Sequence, residues 1–112
     1  MNETSLGEFE QLVMLALVRV GEDAYGVPIH EELSSRARRT VSVAAVYKTL
    51  ERLEAKDYVS SRVGEPTAER GGRRRKYFKL ESRGRQALRE SLATLRRMTA
   101  GIEADLPGGG LG

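Results

Sequence analysis

The sequence predicts a mostly helical α+β fold of the winged helix-turn-helix type, and three neighbouring segments carry that prediction. Residues 43–56 (VAAVYKTLERLEAK) have the periodicity of a helix, and residues 58–63 (YVSSRV) follow as a short β-like run. Residues 65–80 (EPTAERGGRRRKYFKL) then pass through a glycine pair and four consecutive basic residues into a second strand pattern. A helix, a strand, a basic loop and a strand, in this order, are typical of a helix-turn-helix domain that carries a wing.

Positive charge is concentrated in that predicted hairpin. Residues 62–79 contain seven basic and two acidic side chains, a local charge of +5, whereas the remaining 12 basic and 14 acidic residues give −2 and the whole chain is +3. A local basic stripe on an otherwise balanced surface attracts and orients a polyanion. The distribution therefore favours nucleic-acid binding through the hairpin.

Composition limits the other classes of function. The 112 residues fit one domain, and with no cysteine and a single histidine, His30, the chain offers neither a thiolate nor a clustered histidine metal site. We expect no enzyme and no cofactor, because no residue pattern marks an activated nucleophile.

Localisation is predicted from the N-terminus and from hydropathy. The first ten residues (MNETSLGEFE) are polar and acidic, and no apolar stretch approaches the roughly 18 residues of a membrane span. We expect a cytoplasmic protein without a membrane partner.

The first helix, predicted at about residues 8–20, is apolar on more than one side. Phe9, Leu12, Val13 and Leu17 define one face, while Met14, Leu15 and Val18 fill the opposite one. We expect the second set to pack on another subunit.

The third helix is the predicted reader of DNA bases. Ser42 is its expected N-cap, and Val43, Val46, Leu50 and Leu53 form the expected buried stripe. By subtraction, the DNA-facing residues are Ala44, Ala45, Lys48, Thr49 and Arg52, with small side chains in the first turn for close approach to base edges. A plain amphipathic helix is the alternative; the basic loop that follows favours DNA.

Two further sets of residues complete the predicted interfaces. The wing is expected to contact phosphate through Arg70, Arg73, Arg74, Arg75 and Lys76. A fourth helix is expected over residues 82–105, with a dimer-forming stripe of Leu88, Leu92, Leu95, Met98 and Ile102. The predicted organisation is thus a DNA-binding domain (residues 1–81), a dimerisation helix (82–105) and a disordered tail (106–112).

These residues resemble the PadR family of bacterial winged-helix regulators, in particular its short subgroup with a single C-terminal helix. The likeness covers roughly residues 6–92 and rests on three motifs, AYG at residues 24–26, VYKTLERLEAKDYV at 46–59, and GEPTAERGGRRRKYFKL at 64–80 followed by Gly84. It implies a homodimer whose third helices enter adjacent major grooves and whose wings follow the backbone or minor groove. It also implies that Tyr47 either contacts phosphate or braces the third helix.

Two positions depart from the family pattern. Asp57 stands where the family usually has glycine after the third helix, which predicts a looser helix stop. Glu81 stands where a threonine cap is usual, so we expect Ser82 to cap the fourth helix.

The predicted function is that of a dimeric, sequence-specific DNA-binding regulator, with repression the expected mode and double-stranded DNA the partner. A winged-helix module that binds an acidic protein surface, or RNA, is the alternative. No effector is identified. Some short members of the family resemble drug sensors that hold flat aromatic compounds between tryptophans at the dimer interface, but this chain has no tryptophan. The methionines Met14 and Met98 line either an adaptable apolar pocket or, preferably, a packed dimer core.

Overall fold

The computed structural model describes residues 6–66 and 74–106 of the protein. The helices and strands follow in the order α1 (Glu8–Val20), α2 (Gly26–Ser35), α3 (Val43–Ala55), β1 (Val59–Pro66), β2 (Arg74–Leu80) and α4 (Ser82–Thr99). Short 3₁₀ turns at Gly21–Asp23 and Glu103–Asp105 follow α1 and α4. This confirms the predicted mostly helical α+β winged helix.

Helix α1 is the centre of the core. It contacts α2, α3, β2 and α4, and Val13 and Met14 are both completely buried. The prediction that Met14 lies on a face left for a second subunit is therefore wrong, because a helix surrounded by four elements has more than one apolar side. At its start, the Glu10 carboxylate accepts the Gly7 N–H at 3.0 Å and pairs with Lys56, the residue that follows α3, at 3.1 Å.

The wing is an antiparallel pair of strands. Its register places Val59 opposite Leu80 and Arg62 opposite Tyr77, with an irregularity between Val63 and Pro66. Val59, Phe78 and Leu80 lie on the face turned to the core and are buried. Side chains alternate between the two faces of a strand, so Arg62, Arg75 and Tyr77 share the opposite, outer face.

Helix α3 stops sharply. Asp57 has a φ of 63°, the Asp57 N–H donates to the Glu54 carbonyl at 2.9 Å, and the Tyr58 N–H donates to the Leu53 carbonyl at 3.0 Å. This pair of bonds is the Schellman motif, which normally uses glycine at the left-handed residue. The expected looser stop is wrong, because an aspartate tolerates the left-handed region well enough to complete the motif.

Ser82 is the first residue of helix α4 and not its N-cap, so the expected Ser82 cap is wrong. Glu81 is the N-cap but makes no capping bond with its side chain, whose carboxylate instead accepts a hydrogen bond from Ser60 of β1. The helix ends at Thr99 and a turn with Gly101 at φ 82° follows, so the expected continuation to residue 105 is wrong and Ile102 lies beyond the helix. Near its start, Gly84 packs on the Tyr58 carbonyl, where a β-carbon would clash.

Within residues 6–66 and 74–106, no helix is long and apolar enough to cross a bilayer. In that same part of the chain, no group of three acidic, histidine or cysteine residues is placed to hold a metal ion. His30 has a structural contact, because its Nε2 donates to the Val41 carbonyl at 2.7 Å and so ties α2 to the segment before α3.

Candidate nucleic-acid interface

The exposed face of α3 carries most of the predicted base-reading residues. Ala44, Lys48 and Arg52 are exposed, and Ala45 is half-buried. Positions 44, 48 and 52 are each four residues apart, so they form one row along the helix. The row begins with a small side chain and continues with two long cations, which suits insertion into a groove.

Thr49 does not belong to that face. Only 4% of Thr49 is exposed, whereas Val43, which was expected in the buried stripe, is 39% exposed. The fully buried Val46, Leu50 and Leu53 show where the core lies, and Thr49 falls within the apolar stripe that they define. The prediction that Thr49 points outward to read bases is therefore wrong.

The structure adds an acidic residue, Glu51, to the exposed face of α3. Glu51 is exposed and stands three residues after Lys48, so the two share a face. Glu54 does turn inward, where its carboxylate accepts a hydrogen bond from Ser61 at 2.7 Å. The three-residue spacing from Lys48 was the signal that could have identified Glu51.

The start of α3 is fixed by Ser42. Its Oγ accepts the Ala45 N–H at 3.0 Å, which confirms the predicted N-cap. Ser42 is itself exposed and lies one turn before Val46, at the end of the helix where Ala44 is also exposed. The cap therefore sets the direction in which the small residues of the first turn are presented.

Tyr47 braces α3 against α2. Its hydroxyl accepts the Gly26 N–H at 3.2 Å, and its ring lies 6.0 Å from that of Phe78 in β2. A β-carbon on Gly26 would lie 2.5 Å from the Tyr47 ring, so glycine is required for this close approach. Of the two roles left open for Tyr47, the described contacts are those of a brace.

The wing presents exposed cations on both sides of a half-buried one. Arg74 and Lys76 are exposed, while Arg75 lies 4.4 Å above the Tyr25 ring and is half-buried. Arg70 and Arg73, the other two predicted wing contacts, lie outside the described residues. The wing is joined to the helical part at Ala24, whose carbonyl accepts the Phe78 N–H at 2.8 Å.

The predicted dimer-interface residues divide by exposure. Met14 and Leu88 are buried in the chain's own core, so their assignment to an interface is wrong; Leu15 and Leu92 pack partly on that core. Val18, Leu95, Met98 and Ile102 are exposed large apolar side chains, Met98 to 71%. What remains is an apolar surface on the outer half of α4 and the end of α1.

One groove of about 580 Å³ lies between the end of α1 and the outer face of the wing. Its apolar part is contributed by Leu17, Val18, Tyr77, Phe78 and Leu80, and its cations are Arg62, Lys79 and Arg85. The less favoured alternative, a pocket lined by Met14 and Met98, does not form within the chain, because Met14 is completely buried and Met98 is exposed.

Together, the helical core, the capped third helix and the basic two-stranded wing define a winged helix-turn-helix protein. The family model for transcriptional regulator PadR-like proteins matches residues 14–90, and the chain belongs to that family. The family consists of transcriptional regulators rather than enzymes. No curated protein matches the sequence.

Solved structures of similar proteins support the assignment. A PadR-like transcription factor from Bacteroides fragilis is 30% identical with a TM-score of 0.70, over 88% of this chain and 89% of the other. A PadR family transcription regulator from Clostridium difficile R20291 is 24% identical with a TM-score of 0.68, over 88% and 98%. Bacillus subtilis PadR in complex with operator DNA shares the fold at 20% identity and a TM-score of 0.62, over 76% of this chain and 47% of the other.

Proposed function

We propose that the protein is a dimeric, sequence-specific DNA-binding repressor that acts on its own promoter or on a neighbouring operon. The observation that carries the proposal is the exposed row of Ala44, Lys48 and Arg52 on a domain that also carries the exposed wing cations Arg74 and Lys76. The first set has the geometry for base edges and the second has the charge for phosphates.

The two sets have different tasks in this proposal. The cations of the wing supply an attraction to phosphate that weakens as the salt concentration rises. They are Arg70, Arg73, Arg74, Arg75 and Lys76. The exposed side of α3 faces the major groove, where each base pair presents a distinct pattern of donors and acceptors. The residues that face or border the groove are Ser42, Ala44, Ala45, Lys48 and Arg52. Sequence preference should therefore come from α3 and overall affinity from both.

Dimerisation is proposed through the apolar surface on α4 and α1. Leu95 is 53% and Val18 50% exposed, and large exposed apolar side chains on a small protein are candidates for an interaction site. We propose that residues 1–81 bind DNA and that α4 joins two copies of the chain. A two-fold dimer predicts an inverted repeat with half-sites about one helical turn, roughly 34 Å, apart.

The test is binding of the purified protein to the DNA upstream of its own gene, against an unrelated duplex of equal length, in about 150 mM salt where non-specific attraction is weakened. A preference on the order of a thousandfold supports the proposal, and footprinting should then show two symmetric half-sites. A single asymmetric half-site would count against the dimer. Equal weak binding to DNA and tighter binding to duplex RNA or to an acidic protein would contradict the DNA-binding proposal.

A further inference from the structure

Three consecutive residues, Ala24, Tyr25 and Gly26, contact both elements of the proposed DNA interface. The Ala24 carbonyl accepts the Phe78 N–H of the wing at 2.8 Å. The Gly26 N–H donates to the Tyr47 hydroxyl of α3 at 3.2 Å. The residue between them, Tyr25, therefore lies between a contact to the wing and a contact to α3.

The Tyr25 side chain lies on the outer face of the wing. Its ring meets that of Tyr77 edge to face, with centroids 5.7 Å apart and planes at 78°. The Arg75 guanidinium lies 4.4 Å above the Tyr25 ring, and the Arg62 guanidinium lies 4.6 Å above the Tyr77 ring. A cation, two rings and a second cation thus form one continuous stack, called here the wing stack.

The wing stack joins both strands to the helical part of the domain. Arg62 is on β1, and Tyr77 and Arg75 are on β2, but Tyr25 belongs to the segment that enters α2. A guanidinium over an aromatic face is attracted by the ring quadrupole, and edge-to-face ring pairs are favoured over rings that face each other squarely. Without Tyr25, the outer face of the wing would lose this aromatic link to the segment that enters α2. The base of the wing would stay attached through the Ala24–Phe78 hydrogen bond and through the buried Phe78 and Leu80 side chains.

We propose that Tyr25 is a positioning residue that holds the wing at a fixed angle to α3 and thereby sets the affinity and salt dependence of DNA binding. The proposal rests on the proposed function. Two binding elements on one rigid body engage DNA together, so the second contact is made at high effective concentration. If the part of the wing beyond its buried base moved relative to α3, it would have to be ordered on each binding event, at a cost in affinity.

The experiment compares wild type with Tyr25→Leu and Tyr25→Phe, the matched control that keeps the ring. Binding to the upstream DNA is measured from about 50 to 300 mM salt, and the slope of log affinity against log salt counts phosphate contacts. Backbone ¹⁵N relaxation of residues 61–65 and 74–77 in the free proteins reports wing motion, and circular dichroism checks that each variant is folded. Ring-current shifts of the Arg75 side-chain protons in wild type test the stack without any substitution.

We expect Tyr25→Phe to match wild type, and Tyr25→Leu to bind about tenfold more weakly with a slope reduced by about one to two phosphate contacts. The wing amides of Tyr25→Leu should be more mobile, while the preference for the matched over the unrelated sequence persists because α3 is unchanged. The inference is overturned if a folded Tyr25→Leu keeps the wild-type slope, if Tyr25→Phe is as weak as Tyr25→Leu, or if the Arg75 protons show no ring-current shift. If wild type binds no DNA, the proposed function fails, and the role of Tyr25 fails with it.

Discussion

The Tyr47 ring lies where a β-carbon on Gly26 would be, and the Tyr47 hydroxyl accepts the Gly26 N–H at 3.2 Å. A helix that is expected to enter a groove of DNA is thus held by a contact that leaves no room for a β-carbon at position 26 unless the Tyr47 ring shifts. The AYG motif and the tyrosine of α3 are two sides of the same contact.

Gly26→Ala should lower the free energy of unfolding by about 1–3 kcal/mol, the usual cost of an added methyl group in a packed site. The physical reason is the 2.5 Å approach between that methyl group and the Tyr47 ring. Urea denaturation of Gly26→Ala, Tyr47→Leu and the double variant measures the coupling. Because the smaller leucine makes room, Gly26→Ala should cost less in the Tyr47→Leu background; an equal cost in both backgrounds would contradict the contact.

Lys48→Ala and Thr49→Ala should separate sequence preference from stability. Lys48 is exposed on α3, so its removal should change which base is preferred at one position of the site, by about 1–3 kcal/mol. Thr49 is buried, so Thr49→Ala should lower the unfolding temperature and leave the preferred sequence unchanged. Selection of binding sites from a random library and thermal unfolding measure the two effects. A new preferred sequence for Thr49→Ala would mean that the helix face is assigned incorrectly.

Arg74→Ala should weaken binding to all DNA sequences alike. Arg74 is an exposed cation at the start of β2, and loss of one phosphate contact lowers the salt slope by about one. Salt titrations against the upstream duplex and an unrelated duplex give the affinity for each DNA and the slope of log affinity against log salt. Lys79→Ala is a charge-matched control on the same strand; an identical effect of both variants would indicate general electrostatics instead of a defined contact.

Met98→Glu should shift the protein towards monomer. Met98 is 71% exposed beside Leu95 on the apolar side of α4, and a buried carboxylate without a partner opposes association. Sedimentation velocity over a range of concentrations measures the change. Arg97→Glu is the control, because it changes charge even more but sits about 100° around the helix from Met98. If Arg97→Glu dissociates the protein equally, the apolar stripe is not the interface.

Asp57→Gly should raise the free energy of unfolding by up to about 1 kcal/mol, because the left-handed φ of 63° is unfavourable for a residue with a β-carbon. The Asp57–Arg83 pair that is lost is long, at 3.8 Å, and exposed on both sides, so it contributes little. Chemical denaturation of Asp57→Gly, with Arg83→Ala to measure the ion pair alone, tests this expectation. A destabilised Asp57→Gly would show that the carboxylate has a larger role.

The wing and its place directly after α3 could be predicted from sequence, because turn residues, strand alternation and clustered charge agree over residues 58–80. The phase of α3 could be predicted only approximately. Val43 and Thr49 lie on opposite edges of the apolar stripe. Periodicity does not say which of the two edges is covered by neighbouring elements; in the structure Thr49 is buried and Val43 is exposed. For α1, the sequence does not show how much of the second apolar face the same chain covers: Met14 is completely buried, whereas Val18 stays half exposed. Local patterns identify elements, but the number of neighbours that an element has is decided by the whole fold.

The central position of α1 also constrains how the chain folds during synthesis. The apolar run of residues 12–18 is made early, whereas β2 and α4, which cover part of it, are made last. Until about residue 88 has left the ribosome, Val13, Met14 and Leu17 lack some of their final neighbours, and exposed apolar surface of this kind promotes aggregation. A chain cut short before α4 should therefore be a substrate for chaperones, and the domain should close as a unit only when its last helix emerges.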